Sequence, residues 1–222
     1  MEYRGDSLPL IQDIFFLSQG ILSTLSISFI SFILGFSLGV PVAITKQLSR
    51  KASTILEVYD NIMRGIPVLV IMLFLHFGLA AFIPIFRDPF ISTIIALGLR
   101  SCAFQSQIFR GAMNSVSRDQ MLAAVSLGMT KMQIFRHIII PQAFIVALPG
   151  LGSEIALLIK DSSYSFVLGV LDLAKYADIL RAAQKSFYPY LLAAAIYVAI
   201  TLPIASYLDR LGSALKTKYG LR

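Results

Sequence analysis

Residues 14–45 contain no ionisable side chain, and that run constrains the fold more than any other feature. At roughly 1.5 Å of rise per helical residue, it exceeds the length needed to cross a hydrocarbon core of about 30 Å. Residues 65–86 and 186–208 carry no Asp, Glu, Lys or Arg, and His76 is their one basic ring. Two further stretches, 89–109 and 138–171, are apolar but interrupted by a few charges. With 57% hydrophobic and 14% charged residues among 222, and a mean hydropathy of +0.78, the chain departs from soluble domains, where about a quarter of residues are charged. The expected class is an all-α polytopic membrane protein forming one domain over 1–222, with about five spans and allowance for broken members. The spans fall at about 11–45, 54–82, 90–110, 142–170 and 189–209.

A net charge of +7 raises the question of nucleic acid, but its placement points to membrane orientation. Lys46, Arg50, Lys51, Arg110, Arg118, Lys131, Arg136, Arg210, Lys216, Lys218 and Arg222 fall on one side. The other side holds Arg4, Arg87, Lys175, Arg181 and Lys185, a split of eleven to five. Basic residues collect in the cytoplasm. The N-terminus is therefore expected outside and the C-terminus inside, as an odd number of spans requires. The stretch behind Glu2, Arg4 and Asp6 is too long for a signal-peptide core and reads as an uncleaved first span. Cys102 stands alone, which excludes a disulfide within the chain and argues against a zinc site.

Span one carries Gly35 and Gly39 and is expected to kink or stop at Pro41. Beyond it, Glu57, Asp60 and Arg64 recur at spacings of three and four, so that Asp60 and Arg64 can neutralise each other. Arg100 falls near the middle of span three, and Glu154, Lys160 and Asp161 lie within span four. A charge at mid-membrane costs about 2.5–3.5 kcal/mol on insertion scales, so these residues are expected to face a cavity or a partner. Helix positioning alone, through a pair such as Arg100 with Glu154, is the bland alternative. From Asp172 to Lys185, Leu173, Tyr176, Ala177 and Leu180 oppose Lys175, Asp178 and Arg181, the pattern of an amphipathic helix on the outer surface.

Between spans three and four, residues 111–141 are charged yet patterned. Met121, Leu122, Val125, Met129, Met132 and Phe135 form a helical stripe, with Gly128 in mid-pattern where a bend or a close approach is expected. Periodicity leaves an interfacial helix in the lipid headgroups equally open.

The loop resembles the EAA loop of ABC importer permeases, in which Glu-Ala-Ala is followed by Gly and a later hydrophobic-Pro. Ala123, Ala124, Gly128 and Pro141 match, and Leu122 holds the glutamate position. Met63-Arg64-Gly65-Ile66-Pro67-Val68-Leu69-Val70 is similar to the Arg-Gly-Thr-Pro-Leu-Leu-Val segment of the polar amino-acid uptake branch. Ala103 to Gly111 is similar to its Ala-Tyr-x-x-Glu-x-x-Arg-Gly, with Gln107 in place of the glutamate, and Leu158-Ile159-Lys160-Asp161-Ser162-Ser163 to its Leu-x-Lys-Asp-Thr-Ser.

The resemblance implies a multi-pass subunit of the prokaryotic inner membrane with no catalytic chemistry of its own. It implies a second permease chain, identical or homologous, two cytoplasmic ATPases that use ATP on its behalf, and an extracytoplasmic binding protein that delivers a small polar solute. Leu122, Ala123, Ala124, Leu127, Gly128, Met129 and Pro141 would couple to the ATPase. Arg64, Arg100, Gln107, Glu154, Lys160, Asp161, Ser162 and Ser163 would line the substrate pathway. No cofactor or metal is expected on this chain. Leu122 leaves coupling to the packing of the Met-rich stripe, and Gln107 disfavours arginine- or lysine-like solutes. The rival is a nucleotide-independent channel or secondary transporter with Arg100, Glu154 and Asp161 as its ion path. A serine–lysine hydrolase built on Lys160 fails because residues two apart on a helix point in different directions.

Overall fold

A computed structural model describes residues 9–220; Glu2, Arg4, Asp6 and Arg222 lie outside them. The described chain is helical and contains no strand. Its α-helices are α1 (Pro9–Ser18), α2 (Ile21–Leu48), α3 (Arg50–Gly65), α4 (Val68–Leu73), α5 (Pro89–Asn114), α6 (Arg118–Ser126), α7 (Lys131–Ile134), α8 (Ile140–Asp161), α9 (Leu173–Gln184) and α10 (Tyr188–Lys218). Wider, π-helical turns follow α4 at Phe74–Leu79 and α7 at Phe135–Ile139, and a tight 3₁₀ stretch, Ser162–Leu168, continues α8.

Three helical stretches are long and apolar enough to cross a membrane: Leu10–Leu48, Lys131–Leu168 and Tyr188–Lys218. Arg50–Gly65 with Val68–Leu79 makes a fourth if counted as one span bent by 98°. The bend is local chemistry. Pro67 supplies no N–H and pushes Ile66 into extended backbone, which ends α3. The fifth expected span is α5, whose length suffices but whose middle is polar. Ser92, Thr93, Ser101, Gln105 and Ser106 are all buried in protein, so α5 does not need a lipid-compatible surface.

Span one differs from expectation. Its break falls at Gln19–Gly20, and α2 runs through Pro41 to Leu48. Membrane helices tolerate a proline where packing holds the freed backbone, and α2 is held tightly by α5. A Cβ on Gly39 would sit 2.8 Å from the Cys102 carbonyl oxygen, and one on Gly35 would collide with Ser101. These glycines admit a neighbouring helix, as small residues do in membranes, and do not kink the chain.

Three apolar clusters hold the fold. The one near the loop packs Ala43, Phe109, Phe135, Ala143 and Leu151, with Phe109 edge-on to Phe36 at 5.6 Å and to Phe144 at 5.1 Å between centroids. A second joins Ile27, Met72, Leu97 and Leu158. In the third, Leu173, Ala177 and Leu180 of α9 pack with Leu17 of α1 and Ala193 of α10. The apolar face of α9 is thus covered by protein, and Gln184 Nε2 donates to Asp13 Oδ1 at 2.9 Å along the same seam.

Candidate functional site

Helix α5 carries a ladder of charged contacts, and its rungs differ in exposure. At mid-helix, an Arg100 Nη1 hydrogen bonds to Asp161 Oδ2 at the end of α8; the two side chains are 16% and 13% exposed. The guanidinium of Arg100 lies 4.8 Å from the centroid of the Phe104 ring, and that of Arg64 lies 5.4 Å from the same ring. Arg64 therefore reaches the middle of α5 from the last turn of α3. Arg64 and Lys160 are exposed, and among the described residues neither forms an ion pair. Glu154 is buried beside Ser101, close enough to Arg100 and Asp161 to feel their charges.

Next down α5 lies a closed set. Lys46 Nζ donates to Asp60 Oδ2, and both side chains are 0% exposed. The ammonium also donates to Ser106 Oγ at 2.8 Å, while Ser106 Oγ donates to Asp60 Oδ2 at 3.1 Å. Gln107 Nε2 adds a third donor at 2.5 Å. This set ties α2, α3 and α5 together. At the last rung Arg110 Nη1 meets Glu57 Oε1 at 2.6 Å.

Both pairings therefore depart from the local expectation: Asp60 joins Lys46, leaving Arg64 to Phe104, and Arg100 joins Asp161 in preference to Glu154. Arg64, Arg100, Glu154 and Asp161 are brought together. Gln107 is committed to the closed set, and Ser162 is buried with its hydroxyl donating to the Ile159 carbonyl at 2.8 Å. Lys160 is exposed and Ser163 half-buried. Phe104 was missed, although its position four residues after Arg100 on one helix is the signal that could have found it.

The loop is built from two short helices and a glycine turn. Ser117 caps α6 by accepting from Asp119 N, and Thr130 with Gln133 forms a capping box on α7. Between them Gly128 adopts φ 76°. Its N–H donates to the Val125 carbonyl at 2.9 Å, and Met129 N–H to the Ala124 carbonyl at 3.1 Å. This is a Schellman cap, which requires a left-handed residue after the helix. The single stripe expected from sequence is thus divided. Ala124, Ile134 and Phe135 are buried, while Leu122 is 66% and Leu127 82% exposed. Val125 and Met132 are exposed beside them, Ala123 and Pro141 are exposed, and Met129 is half-buried. A cavity of about 330 Å³ opens behind this ridge, lined by Gln120, Ala123, Leu127, Met129, Ile138 and Gln142 among others. Gln142 Nε2 bridges to Gln120 Oε1 at 2.7 Å and fastens α6 to the start of α8.

Among the described residues no group of His, Cys, Asp and Glu is arranged to hold a metal ion. His76 Nδ1 lies 2.9 Å from the Phe86 carbonyl and His137 Nδ1 2.9 Å from that of Gln133, both structural contacts.

Residues 31–217 match the family described as binding-protein-dependent transport system inner membrane component. The chain belongs to that family. A member of the binding-protein-dependent inner membrane components is a membrane-embedded part of a transport system. This chain is 34% identical over 194 residues to the nopaline transport system permease protein NocM of Agrobacterium fabrum, covering 82% of this chain and 80% of that one. It is 31% identical over 188 residues to the arginine ABC transporter permease protein ArtQ of Haemophilus influenzae, covering 82% and 85%. A crystal structure of an amino acid ABC transporter with histidines superposes with TM-score 0.86 at 31% identity, over 94% of this chain and 98% of that one. The MetNI methionine ABC transporter, at 19% identity and TM-score 0.78 over 94% and 99%, shares the fold.

Proposed function

We propose that this chain is the membrane-spanning subunit of an ATP-driven importer that carries a polar amino acid or a related small solute delivered by an extracytoplasmic binding protein. The observation that carries this reading is the likeness to an amino acid ABC transporter across 94% of the chain. The five crossing segments are α2, the bent α3–α4 pair, α5, α8 and α10, with the N-terminus outside and the C-terminus in the cytoplasm. Two such chains, identical or homologous, enclose a pathway bordered by Arg64, Arg100, Glu154, Lys160, Asp161 and Ser163, with Gln107 and Ser162 behind it. The loop 111–141 presents Leu122, Val125, Leu127 and Met132 to one of two cytoplasmic ATPases, which hydrolyse the ATP. Met and Leu are suited to such a seat because they adapt to a groove without needing an ion pair. Closing of the ATPases moves the two loops together, and α5 and α8, joined through that loop, carry the motion to the pathway.

The test is uptake into proteoliposomes containing the permease, its ATPase and its binding protein. Uptake should require ATP, and Gly128→Asp should abolish co-purification of the ATPase while leaving membrane insertion intact. Uptake without the ATPase would replace this reading with the nucleotide-independent transporter.

A further inference from the structure

Two carboxylates on one face of α8 lie near a single guanidinium, and one of them is engaged. Asp161 and Glu154 are two helical turns apart, about 10 Å along the axis. Asp161 accepts from an Arg100 Nη1. The Glu154 carboxylate lies against the hydroxyl of Ser101, the residue after Arg100, and within range of the charges of Arg100 and Asp161. Glu154 is buried and forms no ion pair among the described residues. An enclosed carboxylate costs free energy unless a charge or hydrogen bonds meet it. Arg100 has the capacity to do so, since a guanidinium presents five N–H donors. The Phe104 ring, 4.8 Å away, supports that group by cation–π attraction.

The two helices that carry these groups are braced separately. Helix α5 is fastened to α2 at Gly35 and Gly39, and to α3 by Tyr59 OH donating to the Leu99 carbonyl at 2.8 Å and by the sealed set around Asp60. Helix α8 is braced on α10, where a Cβ on Gly152 would sit 2.8 Å from Leu208 Cβ and one on Gly212 2.7 Å from the Pro149 ring. Between α5 and α8 the seam includes apolar contacts, Phe109 on Phe144 and Ile108 against Gly150. Arg100–Asp161 is the one ion pair among the described residues that ties α8 to another helix. Such a seam admits the small helix shifts that switching proteins use.

Resting on the importer reading, we infer that Arg100 is a positioning residue that changes partner during transport, holding Asp161 in the conformation seen here and Glu154 when α8 shifts against α5. Neither carboxylate is stranded by the exchange. Asp161 is 13% exposed and passes to water when Arg100 leaves it, whereas Glu154 falls back on the Ser101 hydroxyl. The two pairings are discrete states, and motion of the loop 111–141 biases one against the other.

Steady-state ATP hydrolysis by the permease–ATPase complex in nanodiscs, without binding protein, reads that balance. Asp161→Asn leaves Glu154 as the one carboxylate open to Arg100, and Glu154→Gln leaves Asp161; both keep the side-chain shape. The two should move the hydrolysis rate in opposite directions, each by about threefold or more. Glu154→Asp keeps the charge but shortens its reach by a methylene, and should move the rate in the same sense as Glu154→Gln. Arg100→Gln removes the shared partner, so in that background Asp161→Asn and Glu154→Gln should each stay within about 1.5-fold of Arg100→Gln alone. Shifts of the same sign, no shift from either substitution, or shifts that survive Arg100→Gln overturn the inference. ATP-dependent uptake by the wild-type importer alongside such a result leaves the importer reading standing. A wild-type assembly without ATP-dependent uptake removes the reading and the inference together.

Discussion

Two of the three ion pairs along α5, Lys46–Asp60 and Arg100–Asp161, are made from the same chemistry in different surroundings. Lys46–Asp60 is sealed, and its ammonium and carboxylate are further hydrogen-bonded by Ser106 and Gln107. Arg100–Asp161 joins α5 to the end of α8, yet it stays partly open, and the Phe104 ring against Arg100 also carries Arg64. A closed pair fixes helices, because each charge is matched inside the protein through Asp60 Oδ2, with Oδ1 buried and without a hydrogen-bond partner. An open pair with the Arg64 guanidinium on the neighbouring ring retains electrostatic demand that water or a ligand can meet. The difference lies in neighbours: Ser106 and Gln107 fill the space around Asp60, whereas α3 and α8 end near Arg100.

The largest expected effect is on the closed side. Asp60→Ala strands a buried ammonium and should destabilise the chain by about 3–5 kcal/mol, read as loss of monodisperse protein in detergent and a large fall in melting temperature. The paired replacement Lys46→Met with Asp60→Leu should cost far less, since it removes both charges; an equal loss would break the assignment of that pair as a closed lock. Asp161→Ala should reverse the pattern. Uptake should fall by about tenfold or more, equivalent to at least about 1.4 kcal/mol, while stability changes little, because partly exposed pairs contribute about 0–1 kcal/mol. Wild-type uptake would remove Asp161 from the pathway.

Gly128→Ala forces a side chain into the left-handed region, a strain of about 1–2 kcal/mol. It should weaken ATPase association measurably without the complete loss expected for Gly128→Asp. Smallest is a third kind of buried charge. Asp172 is fully buried and pairs with no cation among the described residues; its carboxylate accepts Lys175 N at 2.8 Å to cap α9. Burial pushes its carboxyl up to about 6. A raised carboxyl pKa means the folded chain binds the proton more tightly than the unfolded one. The stability so gained is fully present below the usual carboxyl value of 3.8 and disappears as pH rises through about 6. Asp172→Ala should cost about 1 kcal/mol through loss of the cap, whereas Asp172→Asn should keep the cap and flatten the fall in melting temperature between about pH 4 and about pH 6. An unchanged pH profile would show that Asp172 does not titrate in this window.

The sequence made some of this legible and hid the rest for identifiable reasons. Uncharged runs and broken segments located the helices, since lipid imposes a composition that can be read directly. Gly128 announced a bend because glycine in mid-pattern has few other uses. Charge partners were misjudged because spacing exposes only neighbours on one helix. Asp60 and Arg64 satisfy the i,i+4 rule, but Lys46, on the preceding helix, wins once α2 packs onto α5 through Gly35 and Gly39. Likewise 61 positions separate Arg100 from Asp161, and nothing local favours that partner over Glu154. Pro41 looked like a stop because a proline in isolation is one, whereas in α2 the surrounding contacts hold the helix together.

The contrast between the open and the sealed pair is tested most directly by thiol accessibility in the assembled importer. Cys102 is the chain's single cysteine and lies on α5 between the two pairs, buried, so it supplies the background. Lys160→Cys and Arg64→Cys should each be modified rapidly by a water-soluble, membrane-impermeant thiol reagent, while Cys102 stays unreactive. If both introduced cysteines react no faster than Cys102, the group around Phe104 is dry, and no solute passes beside it.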